Sequence, residues 1–193
     1  MVTEQRKEKI LRVLRQRQPT LTVVMEDIHD PHNVSAILRS ADAAGVMEIQ
    51  LVYVSETFPK LGKKSSASAV KWISRRKFKS MRECCDTLHT EGWKIYATRL
   101  EEKSQSLFDI DLSGKTALIF GNEHRGVSAQ AVKYADGLLR IPMMGMIQSL
   151  NVSVACAVCL YEALRQRMMK GMYENPSLPP LELGKLFEEW TTR

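Results

Sequence analysis

An α/β fold with a mostly parallel sheet and helices on both faces is what this sequence predicts. Two observations carry that expectation. Short runs of β-branched and aliphatic residues alternate with segments of helical periodicity along the whole chain, and such alternation packs as a parallel sheet covered on two sides. Two of the helical segments are stopped by a glycine, Gly45 and Gly92, and Pro176 breaks the chain before the tail; these residues interrupt helices for conformational reasons.

The elements follow in order. Residues 1–18 form a basic N-terminal helical extension, with Arg6, Lys7, Lys9, Arg12, Arg15 and Arg17 around apolar Ile10, Leu11, Val13 and Leu14. An apolar strand spans Leu21–Ile28. A helix over Val34–Ala44 follows Pro31, with Asn33 as the expected N-cap and Gly45 as its stop. The second strand is Glu48–Val54, and Ser55–Ser68, polar and rich in Ser and Lys, reads as a loop. A basic strand near Trp72–Phe78 leads into a helix over Met81–Thr90. Strands Trp93–Thr98 and Thr116–Phe120 flank a loop carrying Asp109, Asp111 and Gly114. A helix Ser128–Tyr134, a strand Gly137–Ile141 and a long last helix complete the domain at about residue 170. Residues 171–193 form a tail, broken by Pro176, Pro179 and Pro180, with a short amphipathic helix Leu181–Trp190.

Composition excludes several classes. The chain has 193 residues, 44% hydrophobic and 26% charged, which suits one soluble domain. No apolar run reaches the roughly 20 residues needed to span a bilayer, and the charged start MVTEQRKEKI contains no signal-like segment. A cytoplasmic protein without membrane contact is the expectation. The four cysteines fall as an adjacent pair, Cys84 and Cys85, and a helical pair, Cys156 and Cys159. They read as small buried hydrophobes and not as a metal set, which needs four placed ligands. Net charge is +6, gathered in the N-terminal helix, in residues 71–82 and in Arg165, Arg167 and Lys170. Three basic clusters on separate elements favour a phosphate backbone as partner.

Three segments carry the chemistry. TALIFGNEHRGVS at 116–128 nearly matches a phosphate-binding loop, with Gly121, Gly126 and Ser128 in place, but Val127 stands where the essential lysine belongs and Glu123 would repel phosphate. What remains is a tight loop at the carboxyl end of a strand, where open α/β sheets bind ligands. DPHNVSAILRSADAAG at 30–45 sets Ser35, Arg39 and Asp42 at i, i+4 and i+7 as a polar stripe. From these residues alone, Arg39 is equally a surface arginine paired with Asp42 or a functional group. IPMMGMIQSLNVSVACAVCLYEALRQR at 141–167 runs from a strand end through a Met- and Gly-containing loop into a mostly apolar helix, with Arg165 and Arg167 at its exposed far end.

Together these segments resemble the three motifs of the SpoU, or TrmH-like, 2′-O-ribose methyltransferases of the SPOUT superfamily. The similarity runs from RQPTLTVVMED to GMYENPSLP, and is strongest to the branch that modifies a tRNA D-loop guanosine. The tail at Asn175-Pro176-Ser177 is less basic than in some members. The resemblance implies a knotted fold, with a deep C-terminal trefoil, a homodimer, and S-adenosylmethionine as cofactor. It implies a cofactor pocket drawn from Thr98, Leu100, Gly121, Ile141, Met146, Ser149 and Leu150. Catalysis would involve Arg39, Asn33, Glu123, Ser149 and Asn151, without a metal. For tRNA contact the reading names His32, Lys9, Arg12, Arg165 and Arg167. Arginine is an awkward base because its pKa lies above about 12, so Arg39 either shares a proton transiently or stabilises the developing alkoxide. Competing readings are a non-catalytic knotted RNA-binding protein, or a methyltransferase acting on ribosomal RNA or another tRNA nucleotide.

Overall fold

The structure, a computed structural model, describes residues 2–61 and 69–193. The end of the expected 55–68 loop therefore lies outside the described residues. Seven strands form one parallel sheet: β1 (Leu21–Glu26), β2 (Glu48–Val52), β3 (Ser74–Phe78), β4 (Lys94–Thr98), β5 (Gln105–Ser106), β6 (Thr116–Phe120) and β7 (Gly137–Arg140). Their spatial order is β3-β2-β1-β6-β4-β7-β5. The chain thus builds outward from β1 to β3, crosses to β4, and later inserts β6 between the two halves.

Alternation along the strands sorts the core into two layers. Val23 and Met25 of β1, Ile49 and Leu51 of β2, and Leu118 and Phe120 of β6 face one side, where α2 (Pro31–Ala43) packs with α5 (Val152–Met169). Val24, Ile95, Ala97, Ala117 and Ile119 face the other, under α3 (Met81–Thr90) and α4 (Ala129–Tyr134). Each such fully buried aliphatic side chain stabilises the fold by about 1.5–3 kcal/mol. The four thiols are buried and free, and burial pushes Cys85 and Cys159 up to about 12. The two extensions are not separate: α1 (Glu4–Arg15) packs on α6 (Pro180–Thr192) through Ile10, Leu14 and Trp190. No helix among the described residues is long and apolar enough to cross a membrane.

Two local expectations are corrected. The helix after β1 starts earlier than read, because Asp30 is its N-cap, accepting from His32 N, and Pro31 takes the first position; proline suits that position, where its missing N–H has no partner to lose. Asn33 lies inside the helix. The stretch between β4 and β6 also contains the edge strand β5 and a turn of 3₁₀ helix at Leu107–Asp109, too short to show any periodicity.

Candidate active site

The loops after β1, β4, β6 and β7, four neighbouring strands, meet at the carboxyl edge of the sheet. Glu123 is the hub. Its carboxylate accepts from His29 N (3.1 Å), Asp30 N (3.1 Å) and Asn33 Nδ2 (2.9 Å), so it fixes the start of α2 against the β6 loop. Burial alone would raise the Glu123 carboxyl, but the hydrogen bonds from Asn33 and from backbone amides together hold it below the ordinary range. Its charge also sits at a helix N-terminus, where anions are favoured. Asn122 braces the same loop: its amide donates to Asp27 O (2.8 Å), while its oxygen accepts from His124 N and Arg125 N. The loop is tight enough that a Cβ on Gly121 would fall 2.2 Å from the Gly126 carbonyl oxygen. Gly126 itself has φ +67°, a conformation that costs a side chain and suits glycine.

Beside this hub lies a cavity of about 490 Å³, within the range of about 300–1,000 Å³ typical of small-ligand sites. Thr98, Leu100, Gly121, Ile141, Ser149 and Leu150, all named from the sequence, line it with Glu123 and Asn151. The Thr98 hydroxyl donates to Ile119 O (2.9 Å). Asn151 is the N-cap of α5, accepting from Ser153 N (2.9 Å). Aliphatic walls and a polar rim fit a ligand that combines a flat ring with charged ends.

Met146 is a correction. It is 99% exposed and does not line the cavity; of the loop methionines only Met143 does. Gln148 Nε2 donates to Gly145 O (2.7 Å), folding the loop so that Met144 and Met146 project outward. Phe120, Asn122 and Leu139 also line the cavity and were missed. Strand-end residues carry no signal of their own until the neighbouring strands are known.

The residues expected to meet substrate are placed less uniformly. Arg39 is exposed on α2 and does not line the cavity. It is not paired with Asp42, because Arg17 Nη2 donates to the Asp42 carboxylate at 2.5 Å. Among the described residues Arg39 has no hydrogen bond or ion pair. His32, Lys9 and Arg12 are exposed. Arg165 makes a two-point contact with Glu162, Nε and Nη2 each at 2.8 Å.

Arg167 overturns the expectation of an exposed phosphate contact. It is 0% exposed, and each of its five N–H groups has an acceptor: Leu112 O (3.2 Å), Gln18 Oε1 (3.1 Å), Thr20 Oγ1 (2.8 Å), Thr20 O (2.9 Å) and Gly114 O (2.6 Å). Burial draws its pKa down to about 10, so it stays charged at neutral pH. A guanidinium whose donors are all engaged inside the protein has none left for RNA.

Comparison with known proteins bears on the family and the fold. The model of the family described as the SpoU rRNA Methylase family matches residues 20–161. A tRNA (guanosine(18)-2′-O)-methyltransferase of Thermus thermophilus is 45% identical over 188 residues, covering 97% of this chain and 96% of that protein. The crystal structure of an A. aeolicus TrmH/SpoU tRNA modifying enzyme superposes with a TM-score of 0.91 at 37% identity, covering 98% and 96% of the two chains. The SpoU methyltransferase AviRb of Streptomyces viridochromogenes, in complex with AdoMet, gives a TM-score of 0.71 at 28% identity, covering 81% of this chain and 64% of that one.

Proposed function

The chain belongs to the SpoU rRNA methylase family, and from that premise we propose that it transfers a methyl group from S-adenosylmethionine to the 2′-hydroxyl of a guanosine in the tRNA D-loop. The observation that carries the reading is convergence. All three motif segments, separated by up to about a hundred residues, build one cavity and the clamp beside it. The names of the similar full-length proteins support tRNA guanosine as the substrate.

The cofactor, when bound, supplies an electrophilic methyl group on a sulfonium. Ile141, Leu100 and Leu150 offer it apolar walls, and Ser149 and Asn151 a polar rim. Glu123 and Asn33 act through position, locking α2 against the cavity loop so that alignment of the reacting atoms does not have to be found anew at each turnover. Arg39, free of any protein partner among the described residues and exposed to solvent, stabilises the alkoxide that forms as the ribose hydroxyl passes its proton to water. Lys9, Arg12 and Arg165 contribute charge to tRNA binding; Arg167 does not.

The same reading takes the protein as a cytoplasmic homodimer with a C-terminal trefoil knot. Val154, Tyr161 and Met168 repeat at seven-residue spacing along α5 and are 47%, 53% and 59% exposed, an apolar stripe that a second copy would cover. The return of α5 across the sheet to α2 after β7 supports the knotted path. The test is transfer of tritiated methyl to unmodified tRNA, followed by mapping of the modified nucleotide. Incorporation at a D-loop guanosine is expected; no incorporation, or a site elsewhere, would overturn the proposal.

A further inference from the structure

Two consecutive residues at the carboxyl end of β1, Glu26 and Asp27, carry features that neither packing nor catalysis explains. Glu26 is 7% exposed, on the face of the sheet that Val24 fills, and makes no ion pair among the described residues. A leucine would occupy that place without the cost of burying a carboxylate. Burial pushes the Glu26 carboxyl up, and hydrogen bonds from Ser128 draw it back. The contact is specific: Oε2 accepts from Ser128 N (2.8 Å), and Ser128 is the N-cap of α4. Asp27 is the one non-glycine residue of positive φ among the described residues, at +50°, a conformation that crowds an L side chain. Such strain persists only where the surroundings fix it. Asp27 N donates to Val52 O (3.0 Å), and Asp27 Oδ1 accepts from Val54 N (2.8 Å), Ser55 N (3.2 Å) and Glu56 N (3.1 Å). The carbonyl oxygen so fixed accepts from Asn122 Nδ2 (2.8 Å).

Asn122 and Ser128 are the two ends of the loop that carries Glu123. Asn122, Glu123, Gly126 and Val127 of this loop line the cavity, whereas Glu26 and Asp27 do not. Gly126 N also donates to Asn122 O (2.8 Å), and a loop closed on itself in this way is located by where its ends are held. We propose that Glu26 and Asp27 are positioning residues for methyl transfer, pinning the two ends of the 122–128 loop so that its cavity-lining backbone and Glu123 keep one register against α2. The inference rests on the reading of this cavity as the S-adenosylmethionine site. Both residues act through the loop, one by its side chain and the other by its backbone.

The test measures S-adenosylmethionine affinity by calorimetry, well below the melting transition, in variants of the full chain. Glu26→Leu removes the acceptor for Ser128 N, but it also removes an uncompensated buried charge, which offsets the lost bond in stability. Its Tm should stay near or above the parent's while affinity falls about tenfold, the scale of one or two lost hydrogen bonds. Glu26→Gln keeps a carbonyl acceptor and should recover most of that affinity. Asp27→Gly and Asp27→Ala lose the same carboxylate, but only glycine adopts the positive φ readily. Affinity should therefore be about fivefold higher in Asp27→Gly than in Asp27→Ala, with KM for S-adenosylmethionine following the same order and KM for tRNA unchanged. Should Glu26→Leu fail to fold, the Asp27 pair decides alone. A purely structural role would lower Tm and leave affinity at the parent value. That result, Glu26→Gln as weak as Glu26→Leu, or equal affinities in the two Asp27 variants overturns the proposal. If the parent binds no S-adenosylmethionine, the proposed function fails, yet hydrogen exchange still decides whether these residues pin the loop. The Gly126 amide should exchange about tenfold faster in Glu26→Leu and Asp27→Ala than in the parent, and parent rates overturn the inference.

Discussion

Replacing Arg167 by alanine discriminates between a structural arginine and an RNA contact. The side chain bridges Gln18 and Thr20, at the start of β1, to Leu112 and Gly114 ahead of β6, from a position near the end of α5. Two of its hydrogen bonds, to Leu112 O and Gln18 Oε1, are buried, and three are partly buried. Water can replace the guanidinium at the partly buried acceptors. At the two buried ones it cannot, and each orphaned acceptor costs about 1–3 kcal/mol. Relief of the buried charge offsets part of that loss, while the void left by the side chain adds to it. The net destabilisation is therefore about 4 kcal/mol, or roughly 8–16 °C in Tm for a chain of this size. Thermal and urea unfolding at fixed protein concentration measure it, with Arg167→Met as the control that restores volume without donors. That control should recover only part of the loss. A variant that melts within a degree or two of the parent, yet binds tRNA more weakly with a flatter salt dependence, would refute the argument and return Arg167 to the RNA surface.

Arg39→Ala should lose at least about a hundredfold in turnover, the usual scale for one group that stabilises developing charge, while S-adenosylmethionine affinity and Tm hold; single-turnover kinetics checks this, and unchanged turnover removes Arg39 from the mechanism. For Glu123 the folded carboxyl is held below its unfolded value, so its stabilisation is fully present above the unfolded pKa of about 4.3 and is lost as pH falls through the folded one. Cofactor binding should accordingly be flat from neutral pH to about 5 and weaken below that. Glu123→Gln should bind more weakly at pH 7 and show a shallower acid loss; an unaltered acid profile in that variant assigns the transition to another group. Tyr161→Glu puts a charge in the exposed stripe of α5 without touching the buried face, and analytical ultracentrifugation should find a folded monomer. A dimer of parent stability would exclude this face as the interface.

Much of the fold could be read from local pattern. Met81–Thr90 and Thr116–Phe120 have the expected bounds, because a Gly92 stop and a short apolar run are local signals. The order of strands was not legible. Nothing local says that β6 enters between β1 and β4. The same limit governs the site. Of the residues named for a pocket, Thr98, Leu100, Gly121, Ile141, Ser149 and Leu150 line this cavity and Met146 does not, and Asn33 looked like a cap because its partner Glu123 lies 90 residues away. Asp42 looked like the neighbour of Arg39, and its true partner Arg17 comes 25 residues earlier. Arg167 looked exposed because it ends a helix, a position that is open only when no other segment comes to cover it.

The pairing of α1 with α6 has a consequence for synthesis. Ile10 and Leu14 leave the ribosome well before Trp190, which covers them and lies far along the chain. At about 5–20 residues per second the first helix waits roughly 10–35 s for its partner. During that interval it depends on its own termini: the Thr3 hydroxyl accepting from Arg6 N, Glu4 in the first turn, and Arg12 and Arg15 in the last. A twelve-residue helix is marginal alone, so these local devices keep a nascent apolar face from remaining an unstructured, adhesive thread until Trp190 reaches it.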